Sequence, residues 1–196
     1  MTDLNLCAAL AIDGFMTPHE LTWLARQAQT CQTIIEVGSF CGRSTRAFAD
    51  HCPGTVYCID PWQAGAAELW RVKIMRPTAA QSDAADRRAA DHDRVYGLFT
   101  RNLADHLASG RVVPIRQTSL EALPPVLDGL ADLIFLDGDH HEATVRAEIA
   151  AYRPRLKPGG ILAGHDYNKK GVKAAVDAGV GKVSVVDTIW WAPCGS

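Results

Sequence analysis

Short apolar runs recur along the chain, separated by stretches with helical spacing. The runs are TIIEVG (33–38), TVYCID (55–60), RVVPIR (111–116), ADLIFLD (131–137), GGILAG (159–164) and KVSVVDTIWW (182–191). Each has the length of a strand, and several are apolar at successive positions, the pattern of a strand covered on both faces. Helical stretches fall between them at about 43–51, 89–108, 119–128, 141–155 and 169–178. Strand alternating with helix predicts an α/β fold, a doubly wound and mostly parallel sheet with right-handed crossovers and helices on both faces. Pro114 weakens the third run and marks an irregular position. The last run is one strand or a short hairpin turning near Asp187 and Thr188, and the pattern alone does not choose.

Residues 1–30 form an N-terminal helical segment. In MTPHELTWLARQAQ, Thr17 is the N-cap, Pro18 the first helical residue and Glu20 the partner in a capping box, with Leu21, Leu24, Ala25 and Ala28 at helical spacing. The rhythm breaks once, between the second strand and its helix. Residues 61–90 are far longer than an ordinary βα connection and read as a lid or substrate insertion. Trp62, Trp70 and Met75 would pack there, and the Ala/Asp-rich tract 79–91 would be its mobile part. There is no internal repeat and no sign of a second domain, so 1–196 reads as one domain.

Composition narrows the function classes. A formal charge of −2 over 196 residues and a pI near 6.4 argue against a nucleic-acid face. No apolar run approaches the roughly 20 residues that span a bilayer. The N-terminus carries acids where a signal peptide is basic, which predicts a cytoplasmic protein with no membrane partner. None of the six cysteines forms a C-x-x-C pair, so they read as reduced, mostly buried thiols. Assembly into a homo-oligomer is left open.

The candidate chemistry lies at the ends of the runs. IIEVGSFCGRST leaves the first strand and opens a helix; Gly38 and Gly42 permit a tight turn, and the helix start near Arg43 and Ser44 offers N–H groups to an anion. A dinucleotide fingerprint needs a second glycine where Phe40 stands, which argues against NAD and a dehydrogenase. The second strand ends in Asp60, 22 residues after Gly38, placed to accept from ribose hydroxyls or simply to be solvated. FLDGDHH and ILAGHDY end two further strands with Asp137, Asp139, His140, His141, His165 and Asp166. Two carboxylates brought together at one sheet edge repel unless a cation or proton stands between them.

EVGSFCGRST, CIDPW, QTSLEAL, LIFLDGDHH and LKPGGILAGHDY together resemble class I S-adenosylmethionine-dependent methyltransferases, over roughly residues 30–192. More narrowly, they look like the metal-dependent small-molecule O-methyltransferases of the macrolide-sugar, aminocoumarin and catechol kind. The resemblance implies a Rossmann-like sheet. It implies that Glu36, Gly38, Ser39 and Phe40 line the methionine end of the cofactor, with Gly42 also in the cofactor site and Ser44 near the carboxylate. Asp60 would bind the ribose, Ser119 would lie beside the adenine with Gly138 near its other side, and Asp137 would complete the cofactor site. Arg43 stands where catechol enzymes carry a bulky aromatic.

The resemblance further implies a divalent metal on Asp137, His165 and Asp166. The commoner pattern has Asp or Glu where this chain has His165. Magnesium prefers oxygen and imidazole suits transition metals, so the ion stays open, as does whether His165 ligates it. His140 would be the general base, as in the macrolide-sugar enzymes. Otherwise it caps the helix that follows or holds a loop. His141 should face solvent, and Asp139 should orient a histidine or be exposed. The implied reaction is methyl transfer to a hydroxyl of a small molecule such as a sugar or phenol. A metal-independent methyltransferase and a non-catalytic S-adenosylmethionine-binding subunit are the alternatives.

Overall fold

The computed structural model describes residues 4–63, 94–123 and 130–195. Its strands are β1 (Thr33–Val37), β2 (Thr55–Ile59), β3 (Val112–Ile115), β4 (Ala131–Leu136), β5 (Leu156–Gly164), β6 (Ser184–Val186) and β7 (Ile189–Pro193). They form one sheet in the order β3-β2-β1-β4-β5-β7-β6. The first five strands of that order are parallel, and β7 runs antiparallel to both β5 and β6. The order reverses direction between β1 and β4, the crevice where open α/β sheets bind ligands.

The helices are α1 (Cys7–Ala11), α2 (Pro18–Ala28), α3 (Arg43–Ala49), α4 (94–102), α5 (Ala104–Ala108), α6 (Glu142–Tyr152) and α7 (Lys170–Gly179). Strand side chains alternate between faces, and the core divides accordingly. Ile34, Leu133 and Phe135 join Leu21, Leu24, Phe48 and Phe99 on one face. Ile35, Val37, Ile134 and Leu136 join Val145, Ile149, Val172 and Val176 on the other. The same alternation turns Glu36 toward the α2–α3 face. Among the described residues no helix is long and apolar enough to cross a membrane.

The structure settles or corrects several boundaries. The last run is a hairpin: Asp187 takes φ +51° and Asp187–Thr188 separate β6 from β7. Asp tolerates the left-handed region better than most residues. Pro114 sits in β3 opposite Cys58, at the sheet edge where a missing N–H is tolerated. The predicted helix 89–108 breaks at Leu103, and its start lies outside the described residues. Over 119–123 the expected helix is a turn instead, with Ala122 N–H bonded to Thr118 C=O, and 124–128 lie outside the described residues. Thr118 N–H and Oγ1 both donate to Glu121 Oε2 within this turn. Beyond residue 63, the proposed lid also lies outside the described residues.

Candidate active site

The loop after β1 is built against the end of β4. Gly38 has φ +87°, and a Cβ on it would fall 2.1 Å from the Asp137 carbonyl oxygen, so only glycine fits. Phe40 follows at φ +45° and is held by its backbone. Its N–H donates to Asp60 Oδ2 at 2.8 Å, and its carbonyl accepts from Trp62 Nε1 at 2.8 Å. Asp60 Oδ1 accepts from the Trp62 N–H at 2.5 Å, and Trp62 itself has φ +49°. Asp60 therefore clamps the loops after β1 and β2 together, besides standing at the predicted ribose position. Positive φ in bulky residues is costly, and such strain gathers at functional sites. Here Phe40, Trp62 and Asp166 (φ +60°) all lie at the carboxyl edge.

Glu36 lies beneath this loop and is 0% exposed. Its Oε2 accepts from Ser39 Oγ at 2.6 Å and from Thr45 Oγ1, while Oε1 has no partner among the described residues. Burial pushes its carboxyl up to about 7, against hydrogen bonds from Ser39, Ser44 and Thr45. Glu36, Ser39 and Ser44, expected along the cofactor, form one cluster here. All three are buried and their polar groups face one another, so they brace the loop from below. Arg43 likewise turns away, donating to the Ile12 carbonyl at 2.9 Å. Gly42 caps α3 at φ +89°, where a Cβ would meet Leu103 at 2.3 Å.

At the ends of β4 and β5 the acids and histidines converge. One ligand atom each from Asp137, His140 and Asp166 lie within 4.8 Å of one another. His140 Nε2 is 2.6 Å from Asp166 Oδ2, and Lys169 Nζ is 3.1 Å from each of those two atoms. The Asp166 contact raises the His140 pKa. Burial opposes ionisation of Asp166, but the contacts with His140, His165 and Lys169 hold it well below the usual carboxylate range. Burial raises Asp137, only partly countered by His165. His165 is buried, with Nε2 3.2 Å from Glu20 Oε1 and Nδ1 3.4 Å from Asp137 Oδ1 and 3.7 Å from Asp166 Oδ2. Burial disfavours its charge, yet these carboxylates outweigh that and raise it to about 12.

The neighbours of His140 are ordered by Asp139, whose Oδ1 accepts from the His140 N–H at 2.5 Å and the His141 N–H at 2.9 Å. His141 is 88% exposed at the α6 N-cap, with Nδ1 2.7 Å from Asp139. Ser119 and Gly138 meet around Glu148, which hydrogen-bonds Ser119 and whose Oε1 would lie 3.6 Å from a Cβ on Gly138. Burial raises the Glu148 carboxyl. Sequence reasoning missed Glu148, Lys169 and the second role of Glu20. Glu148 left a trace: a charged residue on the face of α6 that carries Val145, Ile149 and Tyr152.

A mostly parallel doubly wound sheet with a glycine turn and converging acids at the switch point defines a Rossmann-like fold of the methyltransferase kind. The model of a family described as a methyltransferase domain matches residues 35–167. The chain belongs to that family. It is similar in structure to cofactor-bound Rv0187 from MTB (TM-score 0.64, 15% identity, 97% of this chain and 88% of that one). It is also similar to the O-methyltransferase TomG from Streptomyces achromogenes in complex with SAM (TM-score 0.61, 14% identity, 93% and 82%). A third is an O-methyltransferase from Bacillus cereus in complex with SAH (TM-score 0.59, 15% identity, 95% and 86%). No curated protein matches the sequence.

Proposed function

We propose that the chain transfers a methyl group from S-adenosylmethionine to a hydroxyl of a small molecule, with His140 as the base and a divalent ion at Asp137 and Asp166. The observation that carries this reading is the convergence of Asp137, His140 and Asp166 beside a loop whose Gly38 is packed onto Asp137. SAM- and SAH-bound proteins among the structural neighbours support the choice of cofactor.

In the reaction the acceptor oxygen attacks the sulfonium methyl, the S–CH₃ bond breaks, and its electron pair stays on sulfur as S-adenosylhomocysteine. The hydroxyl proton goes to His140. Asp166 orients that imidazole: a carboxylate only accepts, so the 2.6 Å contact, shorter than the 3.1 Å approach of the Lys169 ammonium to the same nitrogen, favours a proton on Nε2 and leaves Nδ1 to take the acceptor's. Asp139 fixes the backbone from which His140 projects. The donor chemistry at Asp137, His140, His165 and Asp166 fits a divalent ion, with Asp137 and Asp166 its holders. Such an ion would supply Lewis-acid stabilisation of the developing oxyanion.

The test combines calorimetry with S-adenosylhomocysteine and radiolabelled methyl transfer to a panel of phenols and sugars. Wild type should bind S-adenosylhomocysteine, and Asp60→Ala should weaken that by on the order of 1–3 kcal/mol. His140→Ala should keep cofactor affinity and slow turnover by roughly 10²–10⁴-fold, the usual worth of a positioned base. Undiminished turnover without His140 would refute its role, and full turnover in chelator-stripped protein would refute the ion.

A further inference from the structure

Glu20 does more than cap a helix. Its Oε2 accepts from the Thr17 N–H at 2.9 Å, which completes the capping box. Its Oε1 is committed elsewhere: it accepts from the Thr188 N–H at 3.1 Å and Thr188 Oγ1 at 2.6 Å, and lies 3.2 Å from His165 Nε2. Glu20 is 1% exposed and His165 8%. One buried carboxylate thus ties α2 and the β6–β7 turn to the end of β5.

We propose that Glu20 is the outer carboxylate of a carboxylate–histidine–metal arrangement, holding His165 so that Nδ1 ligates an ion together with Asp137 and Asp166, and that this tunes the site toward a transition-metal ion and away from Mg²⁺. The inference rests on the metal-dependent reading above. An ionised carboxylate accepts and cannot donate, so Nε2 carries the proton toward Glu20. The other ring nitrogen then faces the acid pair. Its separations of 3.4 and 3.7 Å exceed the usual N–H···O length of about 2.7–3.2 Å. They approach the spacing of about 3.0–3.4 Å between ligand atoms bound to one ion with bonds near 2.1 Å. A ligating histidine that gives its second N–H to a carboxylate is the general way such ligands are oriented and made more basic. One nitrogen beside two oxygens favours ions that take imidazole, whereas Mg²⁺ prefers an all-oxygen shell. Lys169 Nζ and His140 Nε2 share Asp166 Oδ2 with this site. Both are partly exposed, so they compete from the solvent side while Glu20 acts from the interior.

Chelator-stripped protein should be titrated calorimetrically with Co²⁺ and with Mg²⁺. Wild type should bind Co²⁺ tighter by roughly 10²-fold or more, given its nitrogen ligand. Glu20→Gln keeps one oxygen for Thr188 and His165, turns an NH₂ toward the Thr17 N–H and loses the charge. It should weaken Co²⁺ by about 10–100-fold while Mg²⁺ and S-adenosylhomocysteine affinities stay put. His165→Asp should bring the two ions to within about tenfold of each other. With Cu²⁺ bound, electron spin-echo modulation from a remote ring nitrogen should be present in wild type and His140→Ala and absent in His165→Asp. That spectroscopic arm stands even if Glu20→Gln fails to fold. Co²⁺ affinity untouched by Glu20→Gln, or modulation that vanishes in His140→Ala and survives in His165→Asp, would overturn the inference alone. Wild type binding neither ion would overturn it together with the metal-dependent reading, leaving the His165 imidazolium as the cation between the acids. Cofactor binding tests the methyltransferase reading separately.

Discussion

Glu36 shows how one residue's place in a strand sets its chemistry. Period-two alternation aims it into the interior, beneath the loop of the motif EVGSFCGRST, where Ser39 and Thr45 donate to it. Its pKa rises from 4.5 to about 7, so the folded state holds this proton more tightly than the unfolded chain. The stability it contributes is then fully present below pH 4.5 and is lost as pH rises toward 7. Complete burial means no screening by solvent, and the loss is on the order of 3 kcal/mol. Glu36→Gln cannot ionise. The difference in unfolding free energy between wild type and this variant should therefore fall by about that amount from pH 4.5 to 7, measured by urea melts. A pH-independent difference would mean that Glu36 ionises as freely folded as unfolded. Asp137, His140 and Asp166 were legible because each ends or follows an apolar run, and strand order alone brings such ends together. The burial of Ser39 and Ser44 was not legible, because it depends on where the Gly38 turn directs the loop.

At the scale of elements, the strands were readable from apolar runs and α2 from its cap, since both signals are local. The hairpin was ambiguous because a left-handed Asp187 leaves no glycine in the sequence to mark the turn. The stretch 119–123 was read as helix from its spacing, and here Thr118 and Glu121 hold a turn instead. The contact between α2 and the hairpin could not be read at all, since it joins residues about 170 apart. Thr17 Oγ1 accepts from the Glu20 N–H at 3.1 Å and donates to Asp187 Oδ2 at 3.0 Å. Thr17→Ala removes both contacts. The cap alone is worth about 1 kcal/mol, and the bond to exposed Asp187 adds about 0.5 kcal/mol. Urea unfolding should show a lower midpoint with an unchanged slope, and Thr17→Ser should restore most of it. In a double-mutant cycle, Thr17→Ala and Asp187→Ala should couple by about 0.5 kcal/mol. Strict additivity would mean that the hairpin does not steady the helix start.

For the whole molecule, the six thiols offer a measure of how the fold opens. Cys7 is exposed and Cys194 partly so, whereas Cys31, Cys41, Cys52 and Cys58 are buried. All four buried thiols belong to the core on the α2–α3 face. Burial raises each of them, Cys31 and Cys41 to about 12, and the thiolate is the reactive form. Native protein should therefore titrate two thiols quickly with a disulfide reagent, and all six in denaturant. The slow reaction of the other four requires opening, so its rate reports the free energy of whatever unit must open. Cys31, Cys52 and Cys58 lie between the sheet and its helices and should react together, at the rate of global opening. Cys41 sits in the Gly38–Gly42 turn and should react first if that loop opens alone. A ligand bound only by the folded state lowers the open population by 1 + [L]/Kd, so S-adenosylhomocysteine at about 100 times its Kd should slow the three core thiols about 100-fold. Cys41 should be slowed as well, because the loop carrying it packs Gly38 onto Asp137 and hangs Phe40 from Asp60. If the core thiols slow and Cys41 does not, the turn opens without releasing the ligand, and the loop would not be part of the cofactor site.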